Sequence, residues 1–157
     1  MELLLRRKLK GGRFGPVPEA HSRRMGAIRG RGNRTTEARF RAMLIRSGIR
    51  GWTMHAKELP GKPDFFFPSS RIAVFIDGCF WHNCPQCGHV PNVNRPFWKA
   101  KFDRNRERDK AIDEFLQHDG IRPVRIWEHE LRNTPSLSLC RLRQLLSRKR
   151  KPGSYRG

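Results

Sequence analysis

The chain has 157 residues, enough for one compact domain but too few for two of ordinary size. It carries 34 Lys and Arg against 14 Asp and Glu, a formal net charge of +20, and only 36% of its residues are hydrophobic. No apolar run approaches the roughly 20 residues of a membrane span, and MELLLRRKLK lacks the features of a secretory signal. We therefore expect a cytoplasmic, nucleoid-associated monomer with no membrane partner.

The positive charge is concentrated at the two ends of the chain. Residues 1–34 hold ten basic and two acidic residues, and residues 141–157 hold seven basic and no acidic residues. Clustered Lys and Arg bind polyanions because neutralising phosphates releases condensed counterions. Solubility or binding to a membrane surface is the alternative explanation. We favour nucleic acid, and expect a flexible basic arm over 1–20, one domain over 21–148 and a basic tail over 149–157.

The apolar periodicity predicts helices and strands in an alternating order. In chain order these are a helix over 35–48, two hairpin strands over 64–67 and 71–76, a helix over 97–118, a strand over 122–127 and a helix over 136–148. RIAVFI is a continuous apolar run, typical of a central strand buried on both faces. Trp98, Phe115 and Trp127 are assigned to the core. The order predicts an α/β fold with a small mixed sheet flanked by helices.

Two acids, Asp64 and Asp77, stand at the start of one predicted hairpin strand and the end of the other. Because the start of one hairpin strand lies beside the end of the next, both carboxylates should meet at one end of the sheet. Paired carboxylates there can bind Mg²⁺, which keeps waters and accepts phosphate oxygens as further ligands. The alternative is that each acid is a turn residue, since Asp64 follows Pro63 and Asp77 precedes Gly78.

The Pro63-Asp64 pair, a strand, and a second strand ending in an acid form the outline of the PD-(D/E)xK nuclease core. The fold expected is therefore a restriction-endonuclease-like variant of that core. Where its lysine would stand, two residues after Asp77, this chain has Cys79. His82 is the candidate to replace that lysine, because an imidazole can accept a proton near neutral pH.

Three cysteines, Cys79, Cys84 and Cys87, fall within nine residues. Thiolates at this spacing can occupy three corners of a tetrahedral Zn²⁺ site, and four protein ligands would make that site structural. For the fourth ligand we favour His129, just past the last predicted strand, over the nearby His89. The alternative for the cluster is reduced cysteine without metal.

Several segments together resemble the very-short-patch-repair (Vsr) family of DNA mismatch endonucleases. They are ELPGKPDFFF, VFIDGCFWHNC, NRPFWKAKFDRNRERD and RIWEHEL, and residues 21–44 resemble the family's N-terminal block. The resemblance runs from His21 to Arg148. It implies a nick in double-stranded DNA 5′ to the thymine of a T·G mismatch, which arises by deamination of 5-methylcytosine. It also implies Mg²⁺ at the active site, a structural Zn²⁺ and downstream repair proteins as partners.

The resemblance implies roles for individual residues. The catalytic aspartate falls on Asp64, the catalytic histidine on His82, and an acidic helix residue near the site on Glu37. Asp77 stands where some members carry histidine, so it either binds metal or acts with His82 in proton transfer. The implied zinc ligands are Cys79, Cys84 and His129, with Cys87 in a loop whose spacing varies within the family.

Phe80 and Trp81 match aromatic residues that wedge into the duplex beside the mismatch, and Met25 matches a residue that enters from the opposite groove. Forcing apolar side chains between base steps costs a few kcal/mol each, and least at a mismatched pair. Considered without the family, Phe80 and Trp81 would more often be local core.

Three functions stay open at this point. The first is a Mg²⁺-dependent nickase that starts very short patch repair at T·G mismatches. The second is a sequence-specific nickase of the same fold, belonging to a phage, mobile-element or restriction system. The third is a non-catalytic, zinc-bound nucleic-acid-binding module.

Overall fold

The computed structural model describes residues 34–147, with Arg34 and Thr35 described by their backbone alone. The predicted arm over 1–20, the predicted tail over 149–157 and Met25 lie outside the described residues. The elements are, in chain order, α1 (Arg34–Arg46), β1 (Thr53–Met54), β2 (Phe65–Phe67), β3 (Ile72–Asp77), α2 (Arg95–His118), β4 (Arg122–Trp127), α3 (Glu128–Asn133) and α4 (Pro135–Ser147).

The described strands form one mixed sheet in the order β1-β2-β3-β4. Strands β2 and β3 pair antiparallel with Phe66 opposite Ala73, and a tight turn joins them in which Arg71 N–H donates to the Pro68 carbonyl at 3.1 Å. Strands β3 and β4 pair in parallel, and Asp77 lies opposite Trp127 at their shared end. The predicted hairpin and the small mixed α/β sheet are both confirmed.

Both faces of β3 are buried, which explains its continuous apolar run. Ile72 and Val74 face a core cluster that includes Phe40 and Leu44 of α1, together with buried leucines of α3 and α4. Ala73 and Phe75 face the other way, into a smaller cluster with Leu116 and Ile112 of α2. Because side chains alternate along a strand, a strand between two helical layers needs apolar residues at every position.

Helix α2 begins two residues before the predicted start, with Pro96 in its first turn and Asn94 as the residue that precedes it. It ends where Gly120, with φ 71°, takes the left-handed conformation that glycine tolerates best. The assignment of Phe115 to the core is wrong: the side chain is 53% exposed, because the neighbouring Leu116 takes the buried position. Across residues 34–147 we find no helix with the length and apolar character that crossing a membrane requires.

Two short elements were not predicted. Strand β1 has only two residues, too few for any apolar alternation to show in the sequence. Helix α3 follows β4 without a loop, and its first turn is closed by Trp127 N–H donating to Glu130 Oε2 at 2.8 Å. This abrupt strand-to-helix change places His129 at the end of the sheet.

The buried ring of Phe65 provides a test of the core. It is fully buried, with ring centroids 5.2 Å from Phe40 and 5.4 Å from Trp52. We expect Phe65→Ala to lower the free energy of unfolding by about 3 to 5 kcal/mol in urea titrations, because it removes core contacts and leaves a cavity. The matched control, Phe115→Ala, should lower it by less than about 1 kcal/mol. Equal losses in the two variants would contradict the packing described.

Candidate active site

A cavity of about 840 Å³ opens at the end of the sheet where β3 and β4 terminate. It is lined by all the described residues that were predicted for catalysis or DNA contact, namely Glu37, Asp64, Asp77, Phe80, Trp81 and His82. The structure therefore brings together side chains from α1, from the start of β2 and from the loop after β3. As expected from the hairpin, Asp64 and Asp77 lie at the same end of the sheet and line the same cavity.

Asp64 is held in place by the backbone of the neighbouring strand. Its Oδ2 accepts a hydrogen bond from Ile76 N–H at 2.7 Å. Burial raises the pKa of Asp64 to about 6, although the Ile76 hydrogen bond opposes the rise, and the Glu37 carboxylate adds to it. A nearby cation would favour the ionised form of this carboxylate.

Glu37 and His55 complete a group of three side chains around that acid. Glu37 lies in the first turn of α1 and is buried, and its Oε2 is 3.5 Å from His55 Nε2. One ligand atom each of Glu37, His55 and Asp64 lies within 4.8 Å of the others. His55 was missed in the sequence, because it follows a two-residue strand and stands in no motif.

Asp77 has different partners from those expected. It is 3% exposed, and both of its carboxylate oxygens accept from Arg125 Nη1 at 3.0 Å. Burial raises the pKa of Asp77, against the lowering effects of His82 and Arg125. In the described part of the chain, the close ligand group around Asp64 contains Glu37 and His55 rather than Asp77.

Arg125 is a second residue that the sequence did not single out. Its Nε and Nη2 donate to the two oxygens of Asp113 on α2, both at 3.0 Å, and its guanidinium lies 4.9 Å from the ring centroid of Phe75. A charged residue within a strand is stable here because each carboxylate it meets is paired in a defined geometry. Arg125 thereby links β4 to α2 and to the end of β3.

His82 lies between two carboxylates. Its Nδ1 is 2.6 Å from Asp109 Oδ2, and its Nε2 is 3.8 Å from Asp77 Oδ1. Although burial opposes it, the hydrogen bond with His82 helps to hold the pKa of Asp109 below its usual value. An ionised Asp109 favours the tautomer with its proton on Nδ1, which leaves Nε2 free to accept another. Asp109 lies 27 residues away on α2, and no local spacing links it to His82.

The three predicted thiols and His129 converge beside the cavity. The Sγ atoms of Cys79, Cys84 and Cys87 lie 3.3, 3.5 and 3.6 Å from His129 Nδ1. His129, rather than His89, is the histidine that lies with the three thiols, and the His89 ring centroid is instead 6.0 Å from that of Phe80. Three sulfurs and one imidazole nitrogen are a donor set that suits a tetrahedral metal such as Zn²⁺.

The cysteine loop is tightly folded around Cys84. Its N–H donates to the Cys79 carbonyl at 2.9 Å, and its own carbonyl accepts from Gly88 N–H at 2.7 Å. A Cβ on residue 88 would lie 2.5 Å from the Cys84 carbonyl oxygen, so glycine is required there. The residues between the cluster ligands, including His82, are therefore held by a compact turn rather than by an open loop.

Phe80 and Trp81 line the cavity and are both half-buried. The Phe80 ring meets Trp81 and Trp98 edge-to-face at 5.2 Å each and Phe102 at 5.5 Å. Lys101 Nζ lies 5.5 Å from the Trp81 ring centroid. The structure thus supports Phe80 as part of a local aromatic cluster and leaves part of its surface exposed, so insertion into DNA stays a prediction.

Comparison with known proteins identifies relatives of this arrangement. A family model described as DNA mismatch endonuclease Vsr matches residues 17–87, a span that contains Glu37, Asp64, Asp77 and His82. The type II nicking enzyme V.NaeI of Lentzea aerocolonigenes is 40% identical over 119 residues, covering 73% of this chain and 71% of that protein. The type II nicking enzyme V.XorIIP of Xanthomonas oryzae pv. oryzae is 36% identical over 131 residues, covering 82% and 93%. The DNA mismatch endonuclease Vsr of Escherichia coli strain K12 is 35% identical over 104 residues, covering 65% of each chain.

The ion pair between Asp77 and Arg125 can be tested by stability measurements. Arg125→Met would leave the Asp77 carboxylate buried without its guanidinium, so we expect the free energy of unfolding to fall by about 3 kcal/mol. Arg122→Met, on an exposed position of the same strand, should change it by less than about 0.5 kcal/mol. The double variant Asp77→Asn with Arg125→Met should regain part of the loss. Urea titrations in which Arg125→Met and Arg122→Met behave alike would contradict the pairing.

Proposed function

Because the chain belongs to the Vsr family of DNA mismatch endonucleases, we propose that it uses a divalent cation, Mg²⁺, to nick one DNA strand 5′ to the thymine of a T·G mismatch. Such a nick would start very short patch repair of deaminated 5-methylcytosine. The observation that carries the proposal is the convergence of Asp64 and His82 on one cavity.

DNA is the partner of this endonuclease. We further propose that the enzyme is a monomer and that downstream repair proteins act on the nicked DNA.

The proposed fold is a restriction-endonuclease-like variant of the PD-(D/E)xK core. Support comes from Pro63 and Asp64 directly before β2, from the antiparallel β2–β3 pair and from the acid that ends β3. His82 in the loop after β3 takes the place of the lysine of that core. The parallel strand β4 extends the sheet on the far side of β3, as a mixed sheet of this kind requires.

Asp64 and Glu37 are the proposed carboxylate ligands of the cation. Among the side chains that the structure describes, residues 36–147, neither of them forms an ion pair with Lys or Arg. The pKa of Asp64 is also raised, so the pair fits a bound positive ion. When bound, the ion supplies charge stabilisation for the phosphate and a site for the attacking water. Asp64, fixed by the Ile76 N–H, has little freedom to turn away from the cavity.

His82 is the proposed proton acceptor. A water oxygen forms the new bond to phosphorus, and one proton of that water goes to His82 Nε2. The bond from phosphorus to a deoxyribose oxygen breaks, and the departing oxygen takes a proton from solvent water. Asp109 orients the ring through Nδ1, and such proton transfer contributes about 10² to 10⁴ in rate. We propose that Asp77 supports His82 in proton transfer, since its Oδ1 lies 3.8 Å from His82 Nε2, and that it does not bind the metal, because its charge is already balanced by Arg125.

Phe80 and Trp81 are the proposed wedge beside the mismatch. The Phe80 ring packs against Trp98 and Phe102, so its side chain is already ordered before it inserts between base pairs. Lys101 over Trp81 places a positive charge where a phosphate would pass. Met25, outside the described residues, is proposed to enter from the opposite groove.

A structural Zn²⁺ is proposed on Cys79, Cys84, Cys87 and His129. Four protein ligands leave no open position, so this ion would take no part in the chemistry. It would instead tie the loop that carries His82 to helix α3, and so fix the imidazole relative to the end of β3.

A second candidate function is favoured by the names of the relatives. V.NaeI and V.XorIIP are named type II nicking enzymes, which fits a sequence-specific nickase of a restriction system better than mismatch repair in general. A phage or mobile-element origin has no comparable support. The third hypothesis, a non-catalytic module, is not supported, because the chain is a DNA endonuclease by its family.

A nicking assay tests both the active site and the substrate. With Mg²⁺ and an end-labelled duplex, we expect one nick in the T strand of a T·G duplex and no nick in the matched duplex. Asp64→Asn and His82→Gln should lower the single-turnover rate by at least about 10²-fold while leaving DNA binding intact. Asp103→Asn, an exposed acid on α2, is the matched control and should retain the rate. Equal nicking of matched DNA would favour the sequence-specific nickase over the mismatch endonuclease. Full activity in Asp64→Asn would contradict the assignment of the active site.

Metal analysis tests the Zn²⁺ site. We expect one tightly bound Zn²⁺ per chain by elemental analysis, and its removal by a chelator should lower the melting temperature by several degrees, because the ligands then lose their common ion. His129→Ala should lose the Zn²⁺, whereas His89→Ala should keep it. A Zn²⁺ content that depends on His89 and not on His129 would contradict the ligand assignment.

A further inference from the structure

We propose that His55 is a third protein ligand of the catalytic cation, and that this chain therefore binds Mn²⁺ more tightly than Mg²⁺. The inference rests on the proposed function through Asp64 and Glu37, which are the proposed carboxylate ligands in both. It adds a residue and an order of metal preference that the resemblance to the family did not imply.

The sheet fixes His55 beside Asp64. Met54 lies opposite Phe65 in the β1–β2 pair, so the next residue on β1 falls opposite the residue before β2. Accordingly, His55 N–H donates to the Asp64 carbonyl at 3.2 Å. His55 has φ 51°, a left-handed conformation that histidine, like Asn and Asp, adopts more often than most other side chains do.

The donor atoms are spaced for one ion. His55 Nε2 and Glu37 Oε2 are 3.5 Å apart, and the ligand atoms of His55, Glu37 and Asp64 all lie within 4.8 Å of one another. Opposite ligands of one ion, each about 2.2 Å from it, are roughly 4.4 Å apart. Small side-chain rotations are therefore enough to bring all three donors onto one centre.

The unequal exposure of Glu37 and His55 leaves one side of the centre open. The Glu37 side chain is 9% exposed and that of His55 52% exposed. A cation held between them would have protein on one side and the cavity on the other. Waters and a phosphate oxygen could then supply its remaining ligands, as a hydrolytic metal site requires.

The charges point to a cation from outside the protein. Asp77, the other buried acid of the cavity, is already paired with Arg125. In the part of the chain that the structure describes, the ion-pair partner of Glu37 is His55, and Asp64 accepts a backbone N–H. Two carboxylates beside one imidazole form a centre that a divalent ion neutralises.

The imidazole sets the metal preference. Mg²⁺ binds oxygen ligands and keeps its waters, whereas first-row transition ions accept imidazole nitrogen as well as carboxylate oxygen. Mn²⁺ accepts both kinds of ligand and resembles Mg²⁺ in octahedral geometry. A His55 that served only as a counter-ion for Glu37 would have no effect on the choice between the two ions.

The test measures metal binding directly on the full chain loaded with Zn²⁺. Free Mn²⁺ is followed by its electron paramagnetic resonance signal, and Mg²⁺ affinity by competition. We expect His55→Gln to weaken Mn²⁺ binding about tenfold or more and Mg²⁺ binding by a clearly smaller factor. His55→Asn, which tolerates the left-handed backbone, should behave in the same way and guards against misfolding. The matched control His118→Gln, a 90% exposed histidine beside an acid, should change neither affinity.

Two results would overturn the inference: Mn²⁺ affinity unchanged in both His55 variants, or equal losses for Mn²⁺ and Mg²⁺. The nicking assay separates this inference from the proposed function. Asp64-dependent nicking in Mg²⁺ together with His55-independent Mn²⁺ binding would remove only the His55 ligand. His55-dependent Mn²⁺ binding without nicking of any duplex would remove the proposed function and leave the metal site.

Discussion

The antiparallel register of β2 and β3 determines where Asp64, the central acid of the proposed site, lies. Because Phe65 lies opposite Val74, Asp64, the residue before β2, lies beside the end of β3. There its carboxylate accepts a hydrogen bond from Ile76 N–H. A slip of one residue would exchange the two faces of β3, placing Ile72 and Val74 where Ala73 and Phe75 now pack. The two unequal cores exclude this slip, so packing far from the cavity fixes the position of the acid.

The cavity divides its negative charge between two environments. Asp77 faces a guanidinium that is itself held by Asp113, so this acid is neutralised within the protein. Asp64 and Glu37 have no such partner among the described residues, and the raised pKa of Asp64 reflects burial beside another carboxylate. Asp77 can therefore support His82, while Asp64 and Glu37 are suited to binding a divalent ion. Two acids that look equivalent in the sequence thus differ because of one arginine on β4.

The features that the sequence predicted are those with local patterns. The continuous apolar run of β3 and the turn before it predicted the hairpin, and the closely spaced cysteines predicted that three thiols would lie together. His129 could be named because it follows a strand that ends beside the cysteine loop. In these cases the spacing of residues close together in the sequence is enough to predict which side chains meet in the fold.

The features that the sequence did not predict depend on pairing across the fold. Asp109 and Arg125 are charged residues among many, and only the packing of α2 on the sheet joins them to His82 and Asp77. His55 depends on a two-residue strand that shows no period. Phe115 was assigned to the core as one of the apolar residues of the helix, but it is 53% exposed, and the adjacent Leu116 is the buried residue.

The central claim, that a cation bound by Asp64 sits across one cavity from His82, is tested most directly by paramagnetic broadening of histidine side-chain signals in nuclear magnetic resonance spectra. Mn²⁺ added to the Zn²⁺-loaded protein should broaden the imidazole signals of His55 and His82 first. It should leave His118 sharp, because His118 ends α2 near the start of β4, at the opposite end of the sheet. In Asp64→Asn the selective broadening should disappear. Broadening of His118 to the same extent as His82, or selective broadening that persists without the Asp64 carboxylate, would contradict the account.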